Sequence, residues 1–166
     1  MPFFMKELFN CLDRADIRIP LKSESKEPIV NNWPKCKEKR NIEKLLELGL
    51  NYGLRTGKKI GRYYFCALDF DKKGNYSKFP FTSYVKTYQG RHVYLKIKEL
   101  PPKCFLYYQG EKVGELQSKG QYVVGFGSIH PTGKKYEFIK RGKWFWKFES
   151  IEELKKKLKK YEIELR

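Results

Sequence analysis

The sequence predicts an α+β fold, with helices at its two ends and an antiparallel-leaning sheet between them. Three observations carry this. Apolar residues recur at helical spacing over residues 3–15 and again after Asn41. From residue 52 the pattern changes to aromatic and β-branched segments punctuated by glycine. A capping box, Ser150 with Glu153, then opens a last helix.

In order along the chain, Phe4, Leu8, Cys11 and Leu12 fall near one face of the first helix. Residues 20–40 are polar and irregular, broken by Pro20, Pro28 and Pro34, with Trp33 as an anchor. Asn41 is an N-cap, Ile42, Leu45, Leu46 and Leu48 are the apolar positions of a second helix, and Gly49 stops it. Segments 62–71, 83–98 and 114–129 read as strands, with short additional strands at 136–139 and 144–148. The final helix carries a stripe of Ile151, Leu154, Leu158 and Tyr161, opposite Lys155, Lys156, Lys157, Lys159 and Lys160. With no stop signal, it is expected to run to the last residue. The chain thus reads as one domain over 1–166: a mainly helical part (1–50), a sheet region (51–149) and a basic C-terminal helix (150–166).

The length of 166 residues suits one domain, and 40% hydrophobic residues are enough for a core. No apolar run approaches the ~20 residues that a membrane-spanning helix needs, and the N-terminus does not read as a signal peptide, so a cytoplasmic protein without membrane partners is expected. Cys11, Cys36, Cys66 and Cys104 lie too far apart for a zinc motif, and neither zinc nor disulfides are expected. Lys and Arg outnumber Asp and Glu by 36 to 19, a formal charge of +17. A surface rich in Lys and Glu normally keeps the signs near balance. A surplus this large instead points to a polyanion, with nucleic acid first.

Against that basic background, the acids in the strands stand out. In Ala67-Leu68-Asp69-Phe70-Asp71, alternation puts Asp69 and Asp71 on one face and Leu68 and Phe70 on the other. Adjacent carboxylates repel unless a cation lies between them, and their hard oxygens suit Mg²⁺ or Mn²⁺. Alone, such a pair is equally an acidic strand end running into Lys72-Lys73-Gly74-Asn75. Glu115, beside Gly114 in a second strand, is a third potential ligand. In Gly90-Arg91-His92-Val93-Tyr94 the glycine signals close backbone approach or a bulge, His92 shares a face with Tyr94, and Arg91 adds a phosphate-neutralising charge. Ser128 and His130 alternate onto one face before the Pro131-Thr132-Gly133 turn. Asn51–Lys59, with Arg55, is either a basic connection or an anion-binding loop, but not a Walker loop.

Taken in order, Leu54-Arg55-Thr56-Gly57, Ala67-Leu68-Asp69-Phe70-Asp71, Gly90-Arg91-His92-Val93-Tyr94, Gly114-Glu115-Leu116 and Gly127-Ser128-Ile129-His130-Pro131-Thr132-Gly133, closed by Tyr136, resemble the bifunctional primase-polymerase domain of the archaeo-eukaryotic primase superfamily. The likeness covers roughly residues 28–140, including Trp33. It implies an RRM-like catalytic antiparallel sheet packed with a small N-terminal α/β lobe, and an active-site cleft between them. It maps the family's acidic pair onto Asp69 and Asp71 and its lone third acid onto Glu115. Of the family's Ser-x-His motif, His92 matches the histidine while Gly90 stands in the serine's place.

What the resemblance implies is two-metal nucleotidyl transfer. Asp69, Asp71 and Glu115 would hold two Mg²⁺ or Mn²⁺ ions. His92, Arg91, Ser128, His130 and the upstream Arg55 would serve the incoming nucleoside triphosphate. Partners would be single-stranded DNA template, a primer and nucleoside triphosphates, with a fused or separate helicase or accessory domain as a further expectation. Two alternatives are a metal-dependent nuclease, which would use the same acids and histidine, and a non-catalytic single-stranded nucleic-acid-binding module, which would stack bases on exposed aromatics. A rolling-circle initiator fits less well, because its paired histidines are missing.

Overall fold

Two sheets carry the fold. The computed structural model describes residues 3–71, 80 and 82–166. Helix α1 (Phe3–Leu12) leads to β1 (Arg18–Leu21), and α2 (Ile42–Glu47) to β2 (Asn51–Arg55), β3 (Lys58–Ile60) and β4 (Tyr63–Phe70). Then come β5 (Tyr84–Lys86), β6 (Arg91–Ile97), β7 (Cys104–Tyr108), β8 (Glu111–Gln117), β9 (Tyr122–Val124), β10 (Glu137–Ile139), β11 (Trp146–Phe148), α3 (Ile151–Lys159) and β12 (Ile163–Leu165). A smaller sheet has the order β1-β2-β9. The larger has the order β10-β5-β6-β4-β8-β7-β12, with β11 on β6 and β3 on β4. Apart from the parallel β11–β6 pair, the pairings of the named strands are antiparallel. The fold is therefore mixed α+β with few helices.

Strand β4 is central, between β6 and β8, and its composition explains why. Phe65, Cys66, Ala67, Leu68 and Phe70 are all fully buried, so apolar residues occupy both of its faces, as in a strand covered on both sides. Phe65 and Ala67 join Tyr94 and Val85 in one core, packed against α1, α2 and the smaller sheet through Leu8, Leu12, Ile42, Leu45, Tyr52 and Leu54. Cys66, Leu68 and Phe70 join Val93, Leu95 and Leu116 in a second core, closed by Leu154 and Leu158 of α3.

Local signals place the helices. The Asn41 side chain accepts a hydrogen bond from the Lys44 amide at 2.8 Å, and Gly49, at φ +75°, takes the left-handed turn after α2. Leu48, expected on the apolar face, is 49% exposed because the helix has already ended. The Ser150 hydroxyl accepts from the Glu153 amide at 3.1 Å, and a Glu153 carboxylate oxygen accepts from the Glu149 amide. The side chain of Phe4 lies outside the described residues, as do Lys72-Lys73-Gly74-Asn75.

Several expectations change. The last helix stops at Lys159 rather than running to the end. Glu162 turns the chain at φ +60°, and Ile163 and Leu165 then alternate inward, both buried, as β12 pairs with β7. Tyr161 extended the helical stripe in sequence, which hid the change of period. Residues 18–21, half inside the stretch read as irregular, form an edge strand, a position that tolerates Pro20. The 114–129 run is cut after Gln117, and β9 crosses to the other sheet. Among the described residues, no helix is long and apolar enough to cross a membrane.

Candidate active site

The strand order brings three separated sequence elements into one line. Asp69 on β4 stands opposite His92 on β6 and also opposite Glu115 on β8. His92, Asp69 and Glu115 thus form a row across adjacent strands, spaced by roughly 5 Å per strand. Asp71 follows two residues beyond Asp69, while Leu68 and Phe70 point into the opposite core, as alternation requires. The His92 Nε2 lies 3.4 Å from an Asp69 carboxylate oxygen.

The glycines flanking this row have a structural reason. A Cβ on Gly90 would overlap the Phe70 carbonyl, and one on Gly114 would overlap the Asp69 carbonyl. Both neighbouring strands therefore approach the acidic end of β4 more closely than any side chain permits. The serine that the family motif places at Gly90 has no room on this backbone.

A cavity of about 360 Å³ opens over the His92–Asp69 end of the row. It is lined by Asp69, Asp71 and His92 of the larger sheet, by Val123 and Val124 of β9, and by Lys26, Tyr88, His130 and Tyr136 among others. His130 stacks on Tyr88, with ring centres 4.8 Å apart and planes 20° apart, while its Nδ1 lies 2.8 Å from the Thr132 hydroxyl. Burial and the neighbouring Lys26 hold the His130 imidazole below its ordinary value. Burial, with Asp69 adding to it, pushes the Tyr136 phenol up to about 12, so it stays a protonated donor. Lys26, Tyr88, Gln117 and Tyr122 were not singled out from the sequence. Lys26 and Tyr88 sit on connections whose path only the fold supplies.

The acids feel one another. Burial raises the Asp71 carboxyl, with Asp69 and Glu115 pushing the same way and Lys112 opposing. Burial also acts to raise Asp69, but His92, with Lys26 and Gln117, brings its carboxyl below the ordinary value. Among the described residues, no three His, Cys, Asp or Glu side chains converge as a ready metal centre. At Glu115, Lys112 Nζ sits 3.0 Å from one carboxylate oxygen, and Gln117 donates to the other at 3.3 Å. A lysine thus serves as the counterion that this crowded acidic site needs. The donor set of three carboxylates fits a hard divalent cation in chemistry.

Three residues expected at the nucleotide lie elsewhere. Arg55, 3% exposed, donates to the carbonyls of Trp33, Asp16 and Cys36, which ties the irregular segment to β2 instead of presenting an anion-binding loop. Ser128 is fully buried, with its hydroxyl accepting from the Tyr52 amide at 3.2 Å. Arg91 alternates onto the face opposite His92, its guanidinium 3.9 Å above the Tyr84 ring. Trp33, the expected anchor, packs edge-on against Tyr122 with ring centres 4.9 Å apart.

Residues 11–156 match the family model of the bifunctional DNA primase/polymerase, N-terminal domain. No curated protein matches the chain.

Proposed function

The chain belongs to the bifunctional DNA primase/polymerase family, and on that premise we propose that it performs template-directed nucleotidyl transfer at the Asp69–Asp71–Glu115 site. The observation that carries this reading is the in-register row of His92, Asp69 and Glu115, of which His92 and Asp69 line a cavity together with Asp71. Asp69, Asp71 and Glu115 would hold Mg²⁺ or Mn²⁺, with Glu115 leaving Lys112 to do so. Such ions, when bound, acidify an attacking 3′-hydroxyl and neutralise the leaving pyrophosphate. In this reading β5, β6, β4 and β8 are the core of an RRM-like catalytic sheet, and the smaller sheet walls the nucleotide from the other side.

The chain's own groups then orient the nucleoside triphosphate. His92 lies in the cavity wall with its Nε2 against Asp69, and would turn that N–H from the carboxylate to a phosphate oxygen once Asp69 holds a cation. Lys26 neutralises the triphosphate from the opposite rim. The stacked pair of Tyr88 and His130 offers a flat surface for a base. Ser128, Arg55 and Arg91, which the structure uses elsewhere, have no part in this.

Incubation with single-stranded template, labelled nucleoside triphosphates and Mn²⁺ or Mg²⁺, with and without primer, tests the proposal. The expected result is template-dependent, chelator-sensitive growth of labelled product. Degradation of the template without incorporation would show a nuclease. Chelator-insensitive binding alone would show a non-catalytic module.

A further inference from the structure

The line of residues that crosses Asp69 and Glu115 continues onto β7. Phe105 stands opposite Glu115. Phe105 and Tyr107 alternate with Cys104, Leu106 and Tyr108, which are buried in the core beneath α3. The two rings therefore belong to the face that carries the acids, and Phe105 is 36% exposed. The core shared with the smaller sheet takes residues from β4, β5 and β6 but none from β7, β8 or β12. Among the described residues, this half of the face carries no second layer.

A register shift between Leu106 and Tyr107 pairs Tyr107 with Lys112. That bulge brings a residue three positions before Glu115 onto the same face. Lys112 Nζ lies 4.2 Å from the centre of the Phe105 ring. The guanidinium of Arg166, next to β12, lies 4.5 Å from the centre of the Tyr107 ring. Each ring of this face thus carries a cation. This pairing of flat apolar surface with positive charge matches the chemistry of a single-stranded polynucleotide, whose bases stack while its phosphates seek cations. A chain with 36 basic and 19 acidic residues favours such a partner further.

We propose that Phe105 and Tyr107, with Lys112 and Arg166, form the surface on which the single-stranded template lies as it leaves the catalytic row. Bases displace the cations from the ring faces, and the cations move to the adjoining phosphates. Phe105 lies two strand spacings from β4, roughly 10 Å, so the strand held there is continuous with the one that the acids act upon. The template role rests on the proposed function; the binding itself does not.

The test is fluorescence anisotropy of labelled oligo(dT) in chelator, where no chemistry runs. Phe105→Ala and Tyr107→Ala should each weaken binding about tenfold, and Phe105→Trp should retain it. Phe105→Leu, which keeps the apolar cover and removes the ring, should behave as the alanine variant does, with unchanged circular dichroism. Arg166→Ala should lower the slope of log affinity against log salt by about one. Unchanged affinity in the Phe105→Leu/Tyr107→Ala double variant would overturn the proposal. So would a change in sedimentation with no change in DNA affinity, which would make this face a contact between copies of the chain. Failure of the primase-polymerase reading would appear separately, as absence of nucleotide incorporation by the unsubstituted protein.

Discussion

Replacing Gly90 with alanine tests the packing that brings the row of His92, Asp69 and Glu115 together. The added Cβ would overlap the Phe70 carbonyl oxygen and lie 2.7 Å from its carbon and 3.3 Å from the Asp71 amide nitrogen. All three are backbone atoms, so no side chain can swing aside to make room. The end of β4 or the start of β6 must move, and Phe70 at that end lies between Asp69 and Asp71. Overpacking of this kind costs about 1–3 kcal/mol. For a domain of this size each kcal/mol lowers Tm by roughly 2–4 °C, which gives a fall of about 2–12 °C by calorimetry. Gly142→Ala is the comparison: nothing lies within 4 Å of its added Cβ, and only its left-handed φ of +73° is strained. Both variants lose stability, but only Gly90→Ala should lose nucleotide incorporation in excess of its loss of folded protein. Gly90→Ala with unchanged Tm and unchanged activity would refute the close approach.

Two further expectations concern residues that the structure reassigns or perturbs. Arg55→Ala leaves three carbonyls without their guanidinium donor and should destabilise the fold by about 3–5 kcal/mol in urea unfolding. The folded fraction should bind nucleotide normally, and a specific loss of nucleotide affinity without loss of stability would restore Arg55 to the site. Asp71 titrates above its ordinary value of 3.8, so the folded state binds that proton more tightly than the unfolded chain. In that raised range stability falls as pH rises. Asp71→Asn should therefore be more stable than the parent at neutral pH in chelator, with a flatter dependence of the urea midpoint on pH. An Asp71→Asn protein less stable than the parent would contradict the crowding of the three acids.

The alternation of β4 was legible because a strand buried on both faces leaves its polar residues conspicuous. Asp69 and Asp71 interrupt an otherwise apolar run, and Gly90 announced a close approach that the Phe70 carbonyl explains. What sequence spacing cannot contain is the order β6-β4-β8, since it arises from pairings between segments more than twenty residues apart. The alignment of His92 and Glu115 on Asp69 is a product of that order. Arg55 and Ser128 are turned to backbone groups, and sequence could not show this for a common reason. A polar residue meant for a ligand and one that satisfies buried backbone groups look alike until the carbonyls of Trp33 and Cys36, or the Tyr52 amide, are in place. The turn from α3 into β12 was hidden by Tyr161, which fits the helical stripe and partly packs in the same core.

The central claim is that Asp69 and its aligned partners hold the ions for nucleotidyl transfer. Asp69→Asn keeps the shape of the side chain and removes its charge. Primer extension and oligo(dT) binding should be measured on one preparation of this variant, each with and without Mn²⁺. Incorporation should fall by at least a hundredfold, a loss on the scale of removing a group that stabilises developing charge, while DNA affinity in chelator stays within about twofold of the parent. Extension at the parent rate by a correctly folded Asp69→Asn protein would contradict the claim.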